Sequence, residues 1–149
     1  MIAHVRPVQL QVWFEQLAAN GDAPPGLAPL VLDVREPWEL QIASIKAPQG
    51  FESLGGLETL AMPMQSIPAR LAELDKTRPI ACLCHHGMRS QSVAAFLVQH
   101  GFEAVANITG GISAWSRELD ASVPQYKPYA CKFILFLASS PLNTGASSY

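Results

Sequence analysis

Cys84 is the side chain of this sequence whose surroundings best suit covalent chemistry. It ends the apolar run 79–84 and precedes the loop 85–90, which contains no acidic residue. A tight loop between a strand and a helix points successive backbone N–H groups inward, and such a nest binds an anion. The positive end of the following helix and the guanidinium of Arg89 add to that field. We therefore expect Cys84 to be largely thiolate near neutral pH and to act as a nucleophile.

The loop after Cys84 is predicted to bind the substrate. Gly87 suits a backbone conformation that other residues resist. His85 and His86 are expected to add partial positive charge, and as neighbours they are expected to face different ways, one toward the substrate and one toward solvent. A metal is not expected, because Cys84 and the two histidines are too close together for ordinary zinc-ligand spacing. The predicted substrate-binding loop comprises His85, His86, Gly87, Met88, Arg89 and Ser90.

Three further side chains near this loop are interpreted mainly as structural. Cys82 lies two residues before Cys84, and we expect an inert, buried thiol there, with a resolving role as the alternative. Asp33 and Arg35 follow another apolar run, near the expected active-site edge. We favour a role in holding loops through hydrogen bonds and charge pairs, and the alternative is that Arg35 helps to bind an anionic donor.

The elements around the loop predict an α/β fold. Apolar runs predict strands at 30–34, 79–84 and 105–108, with a further short strand at 60–62. Helical spacing predicts helices over 7–19, over 67–74 with Ser66 as the N-cap, before Gly101, and after Gly110. Strands that alternate with helices form a mainly parallel sheet with helices on both faces. Ligands of such folds bind beyond the carboxyl ends of the strands.

Composition limits the classes of protein that fit. The chain has 149 residues, 49% of them hydrophobic, which suits one domain with a sizeable core. A formal net charge of −2 gives no footprint for nucleic acid or an anionic membrane. Three cysteines, an odd number, argue against a secreted disulfide framework. No segment has the pattern of a signal peptide or of a transmembrane span. We expect a soluble, cytoplasmic protein with no nucleic-acid or membrane partner.

Three segments together resemble the rhodanese family. Residues 84–90, CHHGMRS, are similar to the active-site segment of single-domain rhodaneses. Residues 32–39, LDVREPWE, and residues 107–115, NITGGISAW, are similar to the family's two flanking signatures. The resemblance covers roughly residues 5–126. We therefore expect a rhodanese domain at residues 1–126 and a C-terminal extension at 127–149 that matches no family.

The resemblance implies a three-layer α/β domain, a five-stranded mainly parallel sheet with helices on both faces, and sulfur transfer without a cofactor. Cys84 would take a sulfane sulfur from a small anionic donor such as thiosulfate. A thiol or cyanide would then remove the sulfur from the persulfide. Both the thiolate and the persulfide are anions, which a ring of N–H donors stabilises. Covalent transfer in two steps predicts ping-pong kinetics.

Two other functions stay open at this point. One is a sulfur-relay or regulatory module, in which the fold serves a protein partner. The other is a phosphatase or arsenate reductase, whose loops place five residues between Cys and Arg, whereas four separate Cys84 from Arg89. The link 47–62 is longer than in many rhodaneses, and the extension carries the apolar run 133–137 and Cys131. Neither segment reveals its role in the sequence.

Overall fold

Five short parallel strands form one sheet in the computed structural model, which describes residues 1–127. The strand order across the sheet is β1-β5-β4-β2-β3, so that β4 is central. All four pairings are parallel, which confirms the expected sheet. The strands are β1 (Ile2–Val5), β2 (Leu30–Asp33), β3 (Glu58–Ala61), β4 (Ile80–Leu83) and β5 (Val105–Ile108).

Helices of very different length connect these strands. They are α1 (Leu10–Ala19), α2 (Pro37–Ile42), α3 (Ile67–Arg70), α4 (Met88–Gln99) and α5 (Gly111–Glu118). Single 3-10 turns lie at Pro7–Gln9, Glu52–Leu54, Met64–Ser66 and Leu71–Glu73. The predicted helix over 67–74 is therefore one α-helical turn followed by a 3-10 turn.

Ser66 does not cap α3, contrary to the sequence prediction. Its backbone is already helical, with φ −87° and ψ −10°, because the preceding 3-10 turn runs directly into α3. An N-cap residue needs an extended backbone to turn its side chain onto the first amides. The Ser66 hydroxyl instead donates to the carbonyl of Pro63 at 2.7 Å.

The sheet carries one apolar layer on each face. Leu32 and Cys82 point to the side covered by Val93 and Leu97 of α4. The neighbouring strand residues point to the other side, where Trp115 of α5 is fully buried. This alternation along each strand produces the three layers that the resemblance implied. The predicted α/β fold is confirmed.

The edge strand β1 is not among the strands that the hydrophobic pattern of the sequence predicts. It spans only four residues, and just Val5 among them is buried. Its pairing with β5, in which Ile2 lies opposite Val105, depends on contacts between distant parts of the chain. β3, the opposite edge, begins two residues before the predicted segment 60–62. Half-exposed edge strands leave only a weak apolar signal.

The carboxyl ends of β2, β4 and β5 meet at one edge of the sheet. Asp33, the last residue of β2, lies opposite Leu83, the last residue of β4. The loop 84–87 continues from β4 into α4. Residues 1–127 contain no helix that is both long and apolar enough to cross a bilayer. The apolar run 133–137 and Cys131 lie outside the described residues.

Candidate active site

The Cys84 sulfur lies at the end of the central strand with hydrogen-bond donors around it. The residue is 1% exposed. The amide of Gly87 donates to Sγ at 3.0 Å, and the Ser90 hydroxyl lies 3.2 Å from it. A buried sulfur with an N–H and an O–H aimed at it is better solvated as an anion than a buried sulfur among hydrocarbons. The site can therefore hold negative charge on sulfur.

Gly87 provides the turn that brings its amide to the sulfur. Its φ is 104°, in the left-handed region that favours glycine. A Cβ there would lie 3.3 Å from the amide nitrogen of Gly110. Gly87 is also the residue before α4, whose first amides have no partner within the helix. The loop therefore ends on the positive pole of a 12-residue helix.

The Ser90 hydroxyl has two acceptors and one proton. Besides Sγ, it lies 2.5 Å from Oδ1 of Asn107. The other end of that amide donates to the carbonyl of Gly87 at 3.1 Å, which sets its orientation. With a thiolate at Cys84, the Ser90 proton serves the sulfur. With a neutral thiol, the S–H donates to Oγ and Ser90 donates to Asn107. Asn107 thus links the sulfur to the turn at Gly87.

The first residues of α5 hold the other side of the Cys84 loop through backbone hydrogen bonds. The amides of Ile112 and Ser113 donate to the carbonyls of Cys84 and His85 at 2.8 and 3.2 Å. This contact is close enough that a Cβ on Gly111 would lie 2.4 Å from both carbonyl oxygens. Gly111 is therefore required for the backbone approach that holds Cys84 in place.

Arg89 lines the cleft beside Cys84, but its charge is paired. Its guanidinium donates to both oxygens of Glu39, at 2.6 and 2.8 Å. Burial alone would raise the pKa of Glu39. The hydrogen bonds from Arg89, from the Glu36 amide and from the Tyr126 hydroxyl outweigh burial and lower that pKa to about 2. Glu39 is thus an anion at neutral pH, and the local charge of the Cys84 loop is largely compensated.

Asp33 and Arg35 form a second ion pair that is deeper in the molecule. The two side chains make a bidentate contact at 2.7 and 2.9 Å, and Arg35 is completely buried. The Tyr126 hydroxyl accepts from Arg35 at 3.0 Å and donates to Glu39 at 2.8 Å. Tyr126 therefore bridges the two ion pairs. Burial raises the pKa of Tyr126, so that it keeps its proton.

His85 is enclosed between two rings. The Tyr126 ring is stacked on it at a centroid distance of 4.1 Å, and the His86 ring lies 4.0 Å away on a tilt. Neither nitrogen of His85 has a hydrogen-bond partner among residues 1–127. Burial and the neighbouring His86 lower the pKa of His85 to about 4. His85 is therefore neutral at pH 7, which differs from the partial positive charge expected from the sequence.

These groups line an open cleft with a volume of about 350 Å³. Both histidines line it, although they were expected to face different ways; the exposed His86 ring covers the buried one. Met88 at the rim is 77% exposed. The lining residues are Glu36, Trp38, Glu39, Cys84, His85, His86, Met88 and Arg89. A larger hollow of about 600 Å³ near Phe14 is lined by no ionisable side chain. Of these two hollows, only the smaller cleft is lined by Cys84 and by ionisable side chains.

Cys82 lies in the same layer as Cys84 but has different surroundings. It is completely buried, and that burial, together with the nearby Cys84 sulfur, raises the pKa of its thiol. A thiol without donors in an apolar layer is unreactive. Within residues 1–127, no group of three or more Asp, Glu, His or Cys side chains is arranged to hold a metal ion.

Glu39, Tyr126 and Asn107 help to shape the cleft but were not among the site residues predicted from the sequence. Glu39 and Arg89 are 50 residues apart, and Tyr126 lies 87 residues from Glu39. No local spacing connects such positions. Asn107 occupies a strand position that the sequence predicts to lie in the core. The only indication of another role is that it is polar between apolar neighbours.

Known proteins are similar to this chain in sequence. A family model described as a rhodanese-like domain matches residues 11–118. A protein named sulfurtransferase from Allochromatium vinosum is 35% identical over 88 residues, which cover 59% of this chain and 72% of that protein. A thiosulfate sulfurtransferase GlpE from Vibrio cholerae is 30% identical over 82 residues, covering 55% of this chain and 77% of that protein.

Solved structures share the fold. A rhodanese-like domain protein from Staphylococcus aureus matches with a TM-score of 0.56 at 21% identity, covering 85% of this chain and all of that one. A rhodanese-related protein from Thermoplasma volcanium matches with a TM-score of 0.56 at 27% identity, covering 78% of this chain and 93% of that one. The family match extends over both flanking signatures and the loop that holds the Cys84 sulfur. The chain therefore belongs to the rhodanese family, whose members include sulfurtransferases.

Proposed function

We propose that this protein transfers a sulfane sulfur through a persulfide on Cys84. The observation that carries the proposal is the buried Sγ with the Gly87 amide at 3.0 Å and the Ser90 hydroxyl at 3.2 Å. Both donors favour a sulfur anion, which is the attacking form of the thiol and the form of its persulfide. The family match and the sulfurtransferase relatives support the same class of reaction.

The transfer takes two steps. With thiosulfate as donor, the Cys84 thiolate attacks the sulfane sulfur, a new S–S bond forms, and the old S–S bond breaks with its electron pair leaving on sulfite. The product is the Cys84 persulfide anion. Cyanide or a thiolate then attacks the outer sulfur and leaves as thiocyanate or a persulfide, and the Cys84 thiolate returns. The donors at Gly87 and Ser90 stabilise the Cys84 thiolate, which attacks in the first step and is the leaving group in the second.

A sulfur-relay module that serves a protein partner is the second candidate function. The specific observation in its favour is the openness of the cleft, in whose lining Met88 is 77% exposed and Trp38 is half-buried. A protein donor or acceptor would cover these side chains on docking. In that case, turnover with small molecules alone would be slow, and adding the partner would accelerate it.

A phosphatase or arsenate reductase is a weaker candidate for the same cleft. Such chemistry needs a cation that is free to hold a tetrahedral oxyanion. Two N–H groups of the Arg89 guanidinium already donate to Glu39, at 2.6 and 2.8 Å. The one-residue-shorter loop between Cys84 and Arg89 points the same way.

The domain boundary at residue 126 also remains part of the proposal. The family model ends at residue 118, yet Tyr126 is stacked on His85 and hydrogen-bonds to Glu39. These contacts favour a functional domain that includes residues 119–126. We propose no role for the remaining extension.

Steady-state kinetics with two cysteine variants test the proposal. Thiosulfate and cyanide varied together should give parallel double-reciprocal lines, because the enzyme alternates between thiolate and persulfide forms. Cys84→Ser should abolish thiocyanate formation. Cys82→Ala, the matched control in the same layer, should keep most of the activity per folded molecule. Intersecting lines, or equal loss in both variants, would contradict Cys84 as the sulfur carrier.

A further inference from the structure

We propose that Glu39 sets the choice of sulfur donor: by neutralising Arg89, it makes the cleft favour the persulfide of an organic thiol over dianionic thiosulfate. This inference rests on the proposed sulfur transfer at Cys84 and adds to it the substrate class and the residue that selects it.

The first support is the charge of the cleft. Its lining contains two carboxylates, Glu36 and Glu39, and one guanidinium, Arg89. The formal charges of these three groups sum to −1. The nearby cation Arg35 contributes nothing here, because it is completely buried and paired with Asp33. A dianion that approaches the Cys84 thiolate is therefore repelled more strongly than a neutral or singly charged donor.

The second support is the geometry of the Glu39–Arg89 pair. Both carboxylate oxygens of Glu39 accept hydrogen bonds from Arg89. The Glu39 side chain is 1% exposed, so Arg89 is bound by a buried carboxylate. The Glu36 amide and the Tyr126 hydroxyl also donate to Glu39. This carboxylate is fixed by three elements of the fold, and Arg89 cannot turn toward a donor without leaving a buried anion unpaired.

The third support is the size and chemistry of the entrance. A volume of about 350 Å³ is on the order of ten times the share of one water molecule, much more than the five heavy atoms of thiosulfate fill. The lining also includes Trp38, Met88 and the ring of His86. Aromatic and thioether groups suit the organic substituent of a thiol persulfide.

The reaction with such a donor balances without any further reagent. The Cys84 thiolate attacks the outer sulfur of R–S–SH, and the bond between that sulfur and R–S breaks. Its electron pair leaves on the thiolate R–S⁻, while the proton stays on the transferred sulfur. The products are the Cys84 persulfide and one equivalent of thiolate, and no net oxidation or reduction takes place.

The test compares two donors in one protein preparation. The rate constants kcat/KM for formation of the Cys84 persulfide are measured with cysteamine persulfide, whose ammonium group and lack of carboxylates keep it from being an anion, and with thiosulfate, and their ratio is taken. In the unaltered protein we expect the organic persulfide to be favoured on the order of tenfold. Glu39→Gln keeps the size and one acceptor oxygen but frees the charge of Arg89, so the ratio should shift toward thiosulfate by about tenfold, or about 1.4 kcal/mol.

Two further variants distinguish the release of Arg89 from Glu39 from the general loss of a negative charge in the cleft. Glu36→Gln removes a cleft carboxylate that does not bind Arg89, and its shift should be clearly smaller. Arg89→Gln makes the cleft more negative, so the ratio should move in the opposite direction. Because each ratio compares two donors on the same folded protein, partial loss of fold affects both rates alike.

The outcomes distinguish this inference from the proposed function. An unchanged ratio in Glu39→Gln, or equal shifts in Glu36→Gln and Glu39→Gln, would overturn the role of Glu39 while leaving sulfur transfer intact. Preference for thiosulfate in the unaltered protein would overturn the assigned substrate class. Absence of a Cys84 persulfide with both donors would instead overturn the proposed function itself.

Discussion

Two arginine–carboxylate pairs lie near the Cys84 sulfur, and they differ in depth. Arg35 is completely buried and holds Asp33, whereas the Arg89 side chain is 33% exposed and holds Glu39. Tyr126 hydrogen-bonds to one member of each pair. The inner pair has no access to the cleft, so it acts on the stability of the loop after β2. The outer pair forms part of the cleft wall, so it acts on what the cleft binds.

This difference shows that residue type alone does not assign a role to a charge. Both arginines follow the carboxyl end of a strand, and both make bidentate contacts. A buried ion pair often gives little net stability, yet removing one partner is costly because the other charge is left in the interior. A partly exposed arginine can be rehydrated by water when its partner is lost. The pairs should therefore respond differently to matched substitutions.

The largest expected effect is on the inner pair. Asp33→Asn keeps the size but leaves the completely buried Arg35 guanidinium without its counter-charge, and we expect a loss of about 3–5 kcal/mol in the free energy of unfolding. Glu39→Gln should cost less, about 1–3 kcal/mol, because the Arg89 side chain is 33% exposed and water can solvate its charge once the carboxylate is lost. Urea denaturation of both variants measures the difference. Equal losses would show that depth does not separate the two pairs.

The second effect belongs to the acid dependence of stability. The pKa of Glu39 is about 2 in the folded protein against an ordinary 4.5. A lowered pKa stabilises the fold above about pH 4.5, and this contribution disappears as the pH falls toward 2. It amounts to on the order of 3 kcal/mol at most. Glu39→Gln should therefore lose less stability than the unaltered protein between pH 6 and pH 3. Parallel curves of unfolding free energy against pH would argue against Glu39 as a paired carboxylate.

The smallest effect concerns the bridge between the pairs. Tyr126→Phe removes the hydroxyl that bonds to Arg35 and Glu39 but keeps the ring on His85, and we expect a loss of about 1–2 kcal/mol. Thermal unfolding measures it. Ser44→Ala, which removes an exposed hydroxyl bonded to the carbonyl of Leu40, is the control and should change stability by a few tenths of a kcal/mol. If both variants behave alike, Tyr126 does not join the two pairs.

The sequence predicts what local patterns encode. Short apolar runs located β2, β4 and β5, and the position of Cys84 after β4 placed the predicted reactive loop at the carboxyl ends of the strands. β1 was missed because an edge strand of four residues has little periodicity. The 67–74 segment was predicted as one helix because its apolar spacing is helical, although its backbone changes to a 3-10 turn after Arg70.

The parts of the site that sequence reasoning missed depend on tertiary contacts. The loop contains no acidic residue, so it appears basic, yet Glu39 arrives from a position 50 residues away and neutralises Arg89. The sequence predicts His85 as a source of positive charge, yet its position between Tyr126 and His86 excludes water and keeps it neutral. Burial and long-range pairing decide both outcomes, and neither is written in the spacing of neighbouring residues.

Intact mass spectrometry with peptide mapping tests the central claim most directly. The purified protein is measured before and after incubation with thiosulfate and, separately, with cysteamine persulfide. The account predicts a gain of about one sulfur atom, located on the peptide that contains Cys84 and removed by cyanide, as expected for a thiolate that accepts sulfane sulfur. An unmodified Cys84 with both donors, or a cyanide-labile sulfur on Cys82 instead, would contradict it.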